Sequence, residues 1–371
     1  MYADPSPKAR TATAGKPNLG CPARDSRCVI CFVGFASPKI QIPESLPLNV
    51  PRITVVGSYA TGLTMKVERL PGTGETVLGN GYRVDYGGKG SNQAVGCARL
   101  GAKVSFVAKI GNDDFGAMAL GLYRDEGIDV AHLRQVDAAP TGVGFILVDA
   151  VNGNNCIAID PGANGLLTPG DVSQCEAALN SSAVVLTQLE IPVDAAAAAL
   201  MLARARRVLT ILNPAPVRPL PSSVLPMVDV LTPNETEAQV LLGRSPNAAI
   251  EPERIARELI GKGVRHVVMT LGEEGALLVT ASSSTHFPAI KVAAVDTTGA
   301  GDAFNAGLAT ALACGASLEA AVQFAVVAGG LAVTKEGVIP SLPFRQEILQ
   351  FYGSCHLTPP NWFSENWTSG N

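Results

Sequence analysis

At 371 residues, with 47% hydrophobic and only 16% charged residues, the chain has enough apolar material for a large buried core in one or two domains. Its net charge of -4 lacks the basic footprint that nucleic-acid binding leaves, so any affinity for phosphates must be local. No run of about 18 apolar residues is free of charges or Gly/Pro breaks, which argues against a membrane span and for a soluble globular protein.

Residues 1 to 50 carry seven prolines and no sustained periodicity, so the segment reads as a disordered extension. Cys28-Val29-Ile30-Cys31 with Cys21 nearby hints at zinc, but zinc takes four ligands and this segment has no fourth Cys and no His. The eight cysteines are dispersed. Cys97, Cys175 and Cys314 stand in helix-like apolar contexts, as expected of reduced thiols in a cytoplasm.

The first convincing strand is Arg52 to Gly57, followed by a turn from Ser58 to Gly62. Residues 74 to 86 alternate and are broken by glycines, which suits an exposed hairpin. Gly87-Gly88-Lys89-Gly90-Ser91-Asn92-Gln93-Ala94 then leads into a helical run to Leu100. Glycines before a helix allow either a plain turn or close approach of a ligand to the backbone.

Short Val/Leu/Ile-rich runs follow at 104–110, 183–189, 208–212, 228–231, 267–271 and 276–279. Helical patterns such as Asp194 to Arg207 and Pro252 to Gly261 separate several of them. This alternation predicts an α/β fold with a central, mostly parallel sheet covered by helices on both faces, and ligands at the C-terminal strand ends. Thr141 to Val148 and Cys156 to Asp160, joined across Asn152-Gly153-Asn154-Asn155, read as a second hairpin.

The stretch Val295 to Gly307 reads as a strand, a tight turn and a helix N-terminus. Gly299 and Gly301 allow a sharp turn, and the first amides of the helix have no partner within it. Those amides and the positive end of the helix dipole suit a phosphate. Asp302 at the same turn is either a helix cap or a functional carboxylate. The stretch is not a phosphate-binding loop of the Lys-Ser/Thr type, since those residues are missing after the second glycine.

Asp296-Thr-Thr-Gly-Ala-Gly-Asp-Ala-Phe304, together with the octet from Gly87, resembles the two signatures of the ribokinase, or PfkB, family of carbohydrate kinases. They occur in the family's order, about 200 residues apart. The likeness runs from about Ile53 to Phe351. It takes in Gln188-Leu-Glu190, Asn213-Pro-Ala-Pro216, Thr232 to Glu237, Thr270-Leu-Gly272 and Pro340-Ser-Leu-Pro343, and is nearest to the ribokinases. The resemblance implies a kinase domain over residues 51–352, a small β-sheet lid from about 74–86 and 141–160, and a C-terminal tail from 353 to 371.

By the same likeness Asp302 is the catalytic base, and the amides of Gly299, Ala300 and Gly301 form the anion hole. Sugar contacts would come from Ser58, Ala60, Gly87, Gly88, Lys89, Gly90, Asn92, Glu190 and Asp302. Asn234 and Glu237, which otherwise read as a helix cap after Pro233, would position hydrated Mg2+. Thr270, Leu271, Gly272, Glu273, Glu274 and Gly275, with Gly301, would line ATP. Asp296, Thr298, Ala332, Lys335, Gly337 and Ser341 match loops that hold a monovalent cation such as K+, mostly by main-chain oxygens. A homodimer formed through the lid is implied as well.

The implied activity is ATP-dependent phosphorylation of a sugar's primary hydroxyl, with D-ribose to D-ribose 5-phosphate as the default. One departure bears on the sugar. Ribokinases carry Gly-Ser-x-Asn-x-Asp after the first strand, where this chain has Gly57-Ser58-Tyr59-Ala60-Thr61-Gly62. A kinase for another sugar or a nucleoside therefore stays open, as does a silent sugar-binding regulator. A nicotinamide oxidoreductase does not fit, because Gly-x-Gly-x-x-Gly is missing after the first strand. Removing residues 1–49 should leave activity and thermal midpoint nearly unchanged, and a folding defect in the shortened chain would contradict this reading of the extension.

Overall fold

A computed structural model describes residues 50–363, Asn247 excepted. The disorder and zinc expectations for the first 49 residues lie outside this range. In chain order the strands are β1 (Arg52–Val56), β2 (Ala60–Val67), β3 (Gly79–Gly87), β4 (Lys103–Gly111), β5 (Leu133–Val136), β6 (Gly142–Asp149), β7 (Asn155–Asp160), β8 (Val184–Thr187), β9 (Leu209–Leu212), β10 (Val230–Leu231), β11 (His266–Thr270), β12 (Ala276–Val279) and β13 (Ser284–Phe287).

Nine of these form one sheet in the order β13-β12-β11-β10-β9-β8-β1-β4-β5. From β5 to β11 every pairing is parallel, and β12 and β13 close that edge as an antiparallel hairpin. The parallel strands are apolar on both sides because both faces are covered. In β8, Val184 and Leu186 enter one core while Val185 enters the other. The helices Lys89–Arg99, Ala300–Ala313 and Leu318–Ala332 cover the first face. Val193–Ala205 and Pro252–Gly261 cover the second.

The remaining four strands make a separate sheet in the order β3-β2-β6-β7. It is the small separate sheet expected, with two corrections. The turn expected from Ser58 to Gly62 gives way at Ala60 to the strand Ala60–Val67, paired antiparallel to β3 and parallel to β6. Residues 74 to 86 do not form a hairpin of their own, since Gly79–Gly87 is one strand lying against β2. The hairpin of β6 and β7 has the expected partners, with Val143 opposite Asp160.

Two further expectations change. The run before Gly299 forms no strand; the amides of Val295 and Asp296 bond the carbonyl of Val333 instead, at 2.7 and 3.2 Å. The proposed boundary at 352 falls inside the helix Arg345–Ser354, and the chain beyond it packs back on the core. Phe363 is fully buried and meets Phe324 edge to face at 4.6 Å. Phe363→Ala should therefore cost about 3–5 kcal/mol, read as a lower denaturant midpoint, whereas an unchanged midpoint would return these residues to a dispensable tail.

Candidate active site

The C-terminal ends of the parallel strands carry the candidate residues to one edge of the sheet. β1 delivers Ser58, β8 delivers Glu190, β9 leads to Asn213, β10 to Thr232 and Asn234, and β11 to Thr270. Ligands in open α/β sheets gather at this edge.

The Gly87 octet is mostly helical. Its helix starts at Lys89, so Lys89 and Asn92 lie in the first turn rather than in a loop. Gly88 has φ +87°, and a Cβ there would fall 2.7 Å from the Ala60 nitrogen; one on Gly90 would fall 2.4 Å from the Ser58 nitrogen. The glycines are thus required by close packing of the octet on residues 57–60. Ser58 Oγ and the Lys89 amide both donate to Glu190 Oε2, at 2.6 and 2.8 Å. Asn164, which sequence reasoning overlooked, clamps Tyr59 by accepting from its amide at 3.0 Å and donating to its carbonyl at 2.6 Å.

Asp302 is only 7% exposed. Asn92 Nδ2 donates to its Oδ2 at 2.8 Å and Gln93 Nε2 to its Oδ1 at 2.9 Å. Both donors are neutral amides, so they orient the carboxylate without neutralising it. Gln93 also donates to Asn213 Oδ1 at 3.1 Å and accepts from Gln188 Nε2 at 2.5 Å. Asn213 in turn donates to the Thr232 carbonyl at 3.0 Å, while Thr232 Oγ1 bonds Asn305 Oδ1 at 2.6 Å. Gln93 is the hub of this network, yet in the sequence it is one more polar residue on a helix.

Asn92 Oδ1 is buried beside Asp302 with no hydrogen-bond partner, an acceptor suited to a ligand hydroxyl. Burial works against the Lys89 charge, but Asp302, Glu190 and Glu237 outweigh it and raise the lysine above its usual pKa. Lys89 is thus a fixed cation among three carboxylates. For Glu237, burial pushes the carboxyl up; the Asn234 amide and Lys89 oppose this and Asp302 adds to it.

Asn234 and Glu237 do form the helix cap that their spacing allows. Asn234 Oδ1 accepts from the Glu237 amide and Glu237 Oε2 from the Asn234 amide, at 2.8 and 2.9 Å. The second carboxylate oxygen of Glu237 is not used by the cap, which fits a partner for Mg2+-bound water. Residue Thr270 is bridged to Asn234. Beyond it Gly272–Glu274 makes a 3-10 turn that closes when the Leu271 amide bonds the Gly275 carbonyl at 2.8 Å. Glu273 and Glu274 are exposed.

The tight turn and the helix start expected at Gly299 are present. Gly299 is left-handed at φ +85° and a Cβ there would press on Val338 at 2.9 Å, while one on Gly301 would meet nothing. The helix Ala300–Ala313 starts there with no side-chain cap, and of its first amides that of Ala300 bonds the Thr297 carbonyl at 3.3 Å. Asp296 joins two loops by accepting from the Thr298 amide at 2.9 Å and the Gly337 amide at 3.0 Å. Burial raises the Asp296 carboxyl, but these bonds and the nearby Arg83 charge outweigh it and hold it below the usual range. The side chains of Lys335 and Ser341 are turned to other tasks, to Glu347 at 2.5 Å and to the Val338 carbonyl at 2.7 Å. The Ala332 carbonyl accepts from the Lys335 amide at 3.3 Å. A cation between these loops would thus meet mainly main-chain oxygens.

The sequence profile of pfkB family carbohydrate kinases matches residues 50–345. The chain belongs to that family. This pfkB-family kinase is 39% identical to the ribokinase of Haemophilus influenzae, over 81% of the chain and 97% of the relative. It is 34% identical to the deoxyribokinase of Salmonella typhi, over 81% and 98%. Among solved structures, Arabidopsis thaliana ribokinase complexed with ribose and ATP superposes with a TM-score of 0.75 at 32% identity, covering 82% of this chain and 99% of that one.

Gln93→Met keeps the bulk of the side chain but removes a donor to Asp302. The expected outcome is a kcat about 10- to 100-fold lower, with the KM for ATP nearly unchanged. A kcat within about twofold of the parent would show that Gln93 does not position the base.

Proposed function

We propose that this kinase transfers the terminal phosphoryl group of ATP to the primary hydroxyl of a sugar, converting D-ribose to D-ribose 5-phosphate. The observation that carries the reading is a buried carboxylate, Asp302, held by two neutral amides one residue beyond a glycine turn that starts a helix with no side-chain cap. Phosphoryl transfer asks for alignment and charge stabilisation more than for covalent chemistry. Asp302 takes the proton of the hydroxyl as its oxygen attacks phosphorus, and the amides from Gly299 to Gly301 receive the charge of the moving phosphoryl group.

Lys89 supplies a fixed positive charge between the sugar side and the phosphate side. Ser58, Glu190 and Asn92 hold the sugar. Mg2+, when bound, neutralises ATP oxygens, and Glu237 and Asn234 would hold its water shell. K+ between Asp296, Thr298, Ala332, Lys335, Gly337 and Ser341 would stiffen the anion turn. Residues 270–275 face the nucleotide.

A homodimer through the lid belongs to the same reading. Its support is the apolar side chains that the lid exposes on both of its faces, Phe145 on one and Ile157 and Ile159 on the other, each more than half exposed, since exposed apolar surface marks association sites. A cytoplasmic location is proposed on the free thiols of Cys97, Cys175 and Cys314. No described helix is long and apolar enough to cross a membrane.

The test is ATP consumption across D-ribose, 2-deoxy-D-ribose, other sugars and nucleosides, with the product identified by 31P NMR. Phosphorylation of D-ribose at its primary hydroxyl is expected, and ATP hydrolysis unaffected by any sugar would overturn the reading. Replacing K+ by a large organic cation at matched ionic strength should lower the rate; equal rates would remove the cation from the account.

A further inference from the structure

The lid strand β2 offers the sugar almost no side chain. Ala60, Gly62 and Thr64 share one face of it. Opposite them stand Gly87, Asp85 and Arg83 on β3, and Gly142, Gly144 and Ile146 on β6. Residues directly opposite in a sheet lie on the same side. The end of that face nearest the Gly87 octet is therefore a floor of small residues flanked by one carboxylate, Asp85 on β3, and by Ile159 opposite Gly144 on β7. A Cβ built on Gly62 would lie 3.8 Å from that of Asp85, so the two positions open onto the same space.

This face looks toward the kinase core. Arg83, on the same side of β3 as Asp85, donates to Glu336 at 2.8 Å, and its charge acts on Asp296 beside the anion turn. Three residues beyond Asp85 the strand reaches Gly88, about 10 Å further on, where the helix of Lys89 and Asn92 begins. The Asp85 carboxylate is left largely to solvent and ligand. Its ion pair with Arg83 is loose, with Nε to Oδ2 at 3.5 Å and both side chains 43% exposed, longer than a good charge-assisted hydrogen bond.

We propose that Asp85 reads the secondary hydroxyls of the sugar, supplying from β3 the carboxylate that the ribokinase pattern carries at the position of Gly62. The inference rests on the sugar-kinase reading above. A sugar whose primary hydroxyl faces Asp302 turns its far hydroxyls toward the lid. An ionised carboxylate there accepts two hydroxyl protons at once. The carboxylate is kept at the site while its point of attachment moves one strand across the sheet. Sequence alignment along β2 alone registers this as a loss.

The test compares wild type, Asp85→Ala, and Asp85→Ala combined with Gly62→Asp, using D-ribose and its 2-deoxy and 3-deoxy analogues, with the KM for ATP measured alongside. Asp85→Ala should lower kcat/KM for ribose by about 10- to 100-fold, the loss expected for a charged hydrogen bond, and leave the KM for ATP unchanged. The loss should shrink for the analogue that lacks the hydroxyl Asp85 holds. Adding Gly62→Asp should recover part of it: Gly62 is not among the glycines with positive φ, and a Cβ there meets nothing closer than 3.7 Å. Three results would overturn the proposal: an Asp85→Ala enzyme within about threefold of wild type, equal losses on all three sugars, or no recovery in the double variant. A wild type that turns over no sugar would instead overturn the kinase reading, and this proposal with it.

Discussion

A carboxylate taken out of water must be met by hydrogen-bond donors or it is strongly disfavoured. The donors chosen for Asp302 set its chemistry. An Arg or Lys in direct contact would hold the charge but compete for the lone pairs that must accept a proton. Two primary amides, from Asn92 and Gln93, fix the carboxylate while leaving its charge available. Gln93 must itself be held, and the chain of Gln188, Asn213, Thr232 and Asn305 does so by tying the ends of β8, β9 and β10 to the two helices that carry Gln93 and Asp302. The sheet, its short loops and the helix packing are arranged around this polar network.

The parts of the site legible in the sequence were those whose chemistry is local. Gly299, Gly301 and Asp302 announce a turn, an anion site and a carboxylate within four residues, and the alternation of apolar runs and helices gave away the parallel sheet. What stayed hidden depends on residues far apart. Gln93 and Asn164 act through side-chain partners 95 or more positions away. The turn read at Ser58 to Gly62 gives way to β2 from Ala60 on, because backbone pairing on both edges, to β3 and β6, extends the strand into small and polar residues. The run into Val295, which reads as a strand before the turn, instead bonds the Val333 carbonyl.

The two halves of the site differ in how tightly they are determined. At the sheet edge, close approach of Gly88 and Gly90 to residues 57–60 and of Gly299 to Val338 leaves little room for change. On the lid, the floor formed by Ala60, Gly62 and Gly144 is open, with no atom within 4 Å of a Cβ built at Gly144. Close packing thus holds the backbone of the glycine octet and of the Gly299 turn, whereas the lid floor leaves room for side chains to change. Relatives that act on ribose and on deoxyribose at similar identity to this chain are compatible with such a division.

The central claim is that Asp302 acts in the chemical step, and rapid-quench single turnover of Asp302→Asn addresses it most directly. With enzyme in excess over labelled ATP and saturating sugar, the observed rate is that of phosphoryl transfer itself. The unpartnered Oδ1 of Asn92 lets that amide turn and accept from the new Asn, so the fold and ATP binding should be retained. The account predicts a transfer rate about 100- to 10,000-fold lower with ATP affinity preserved, and a loss of less than about threefold would contradict it.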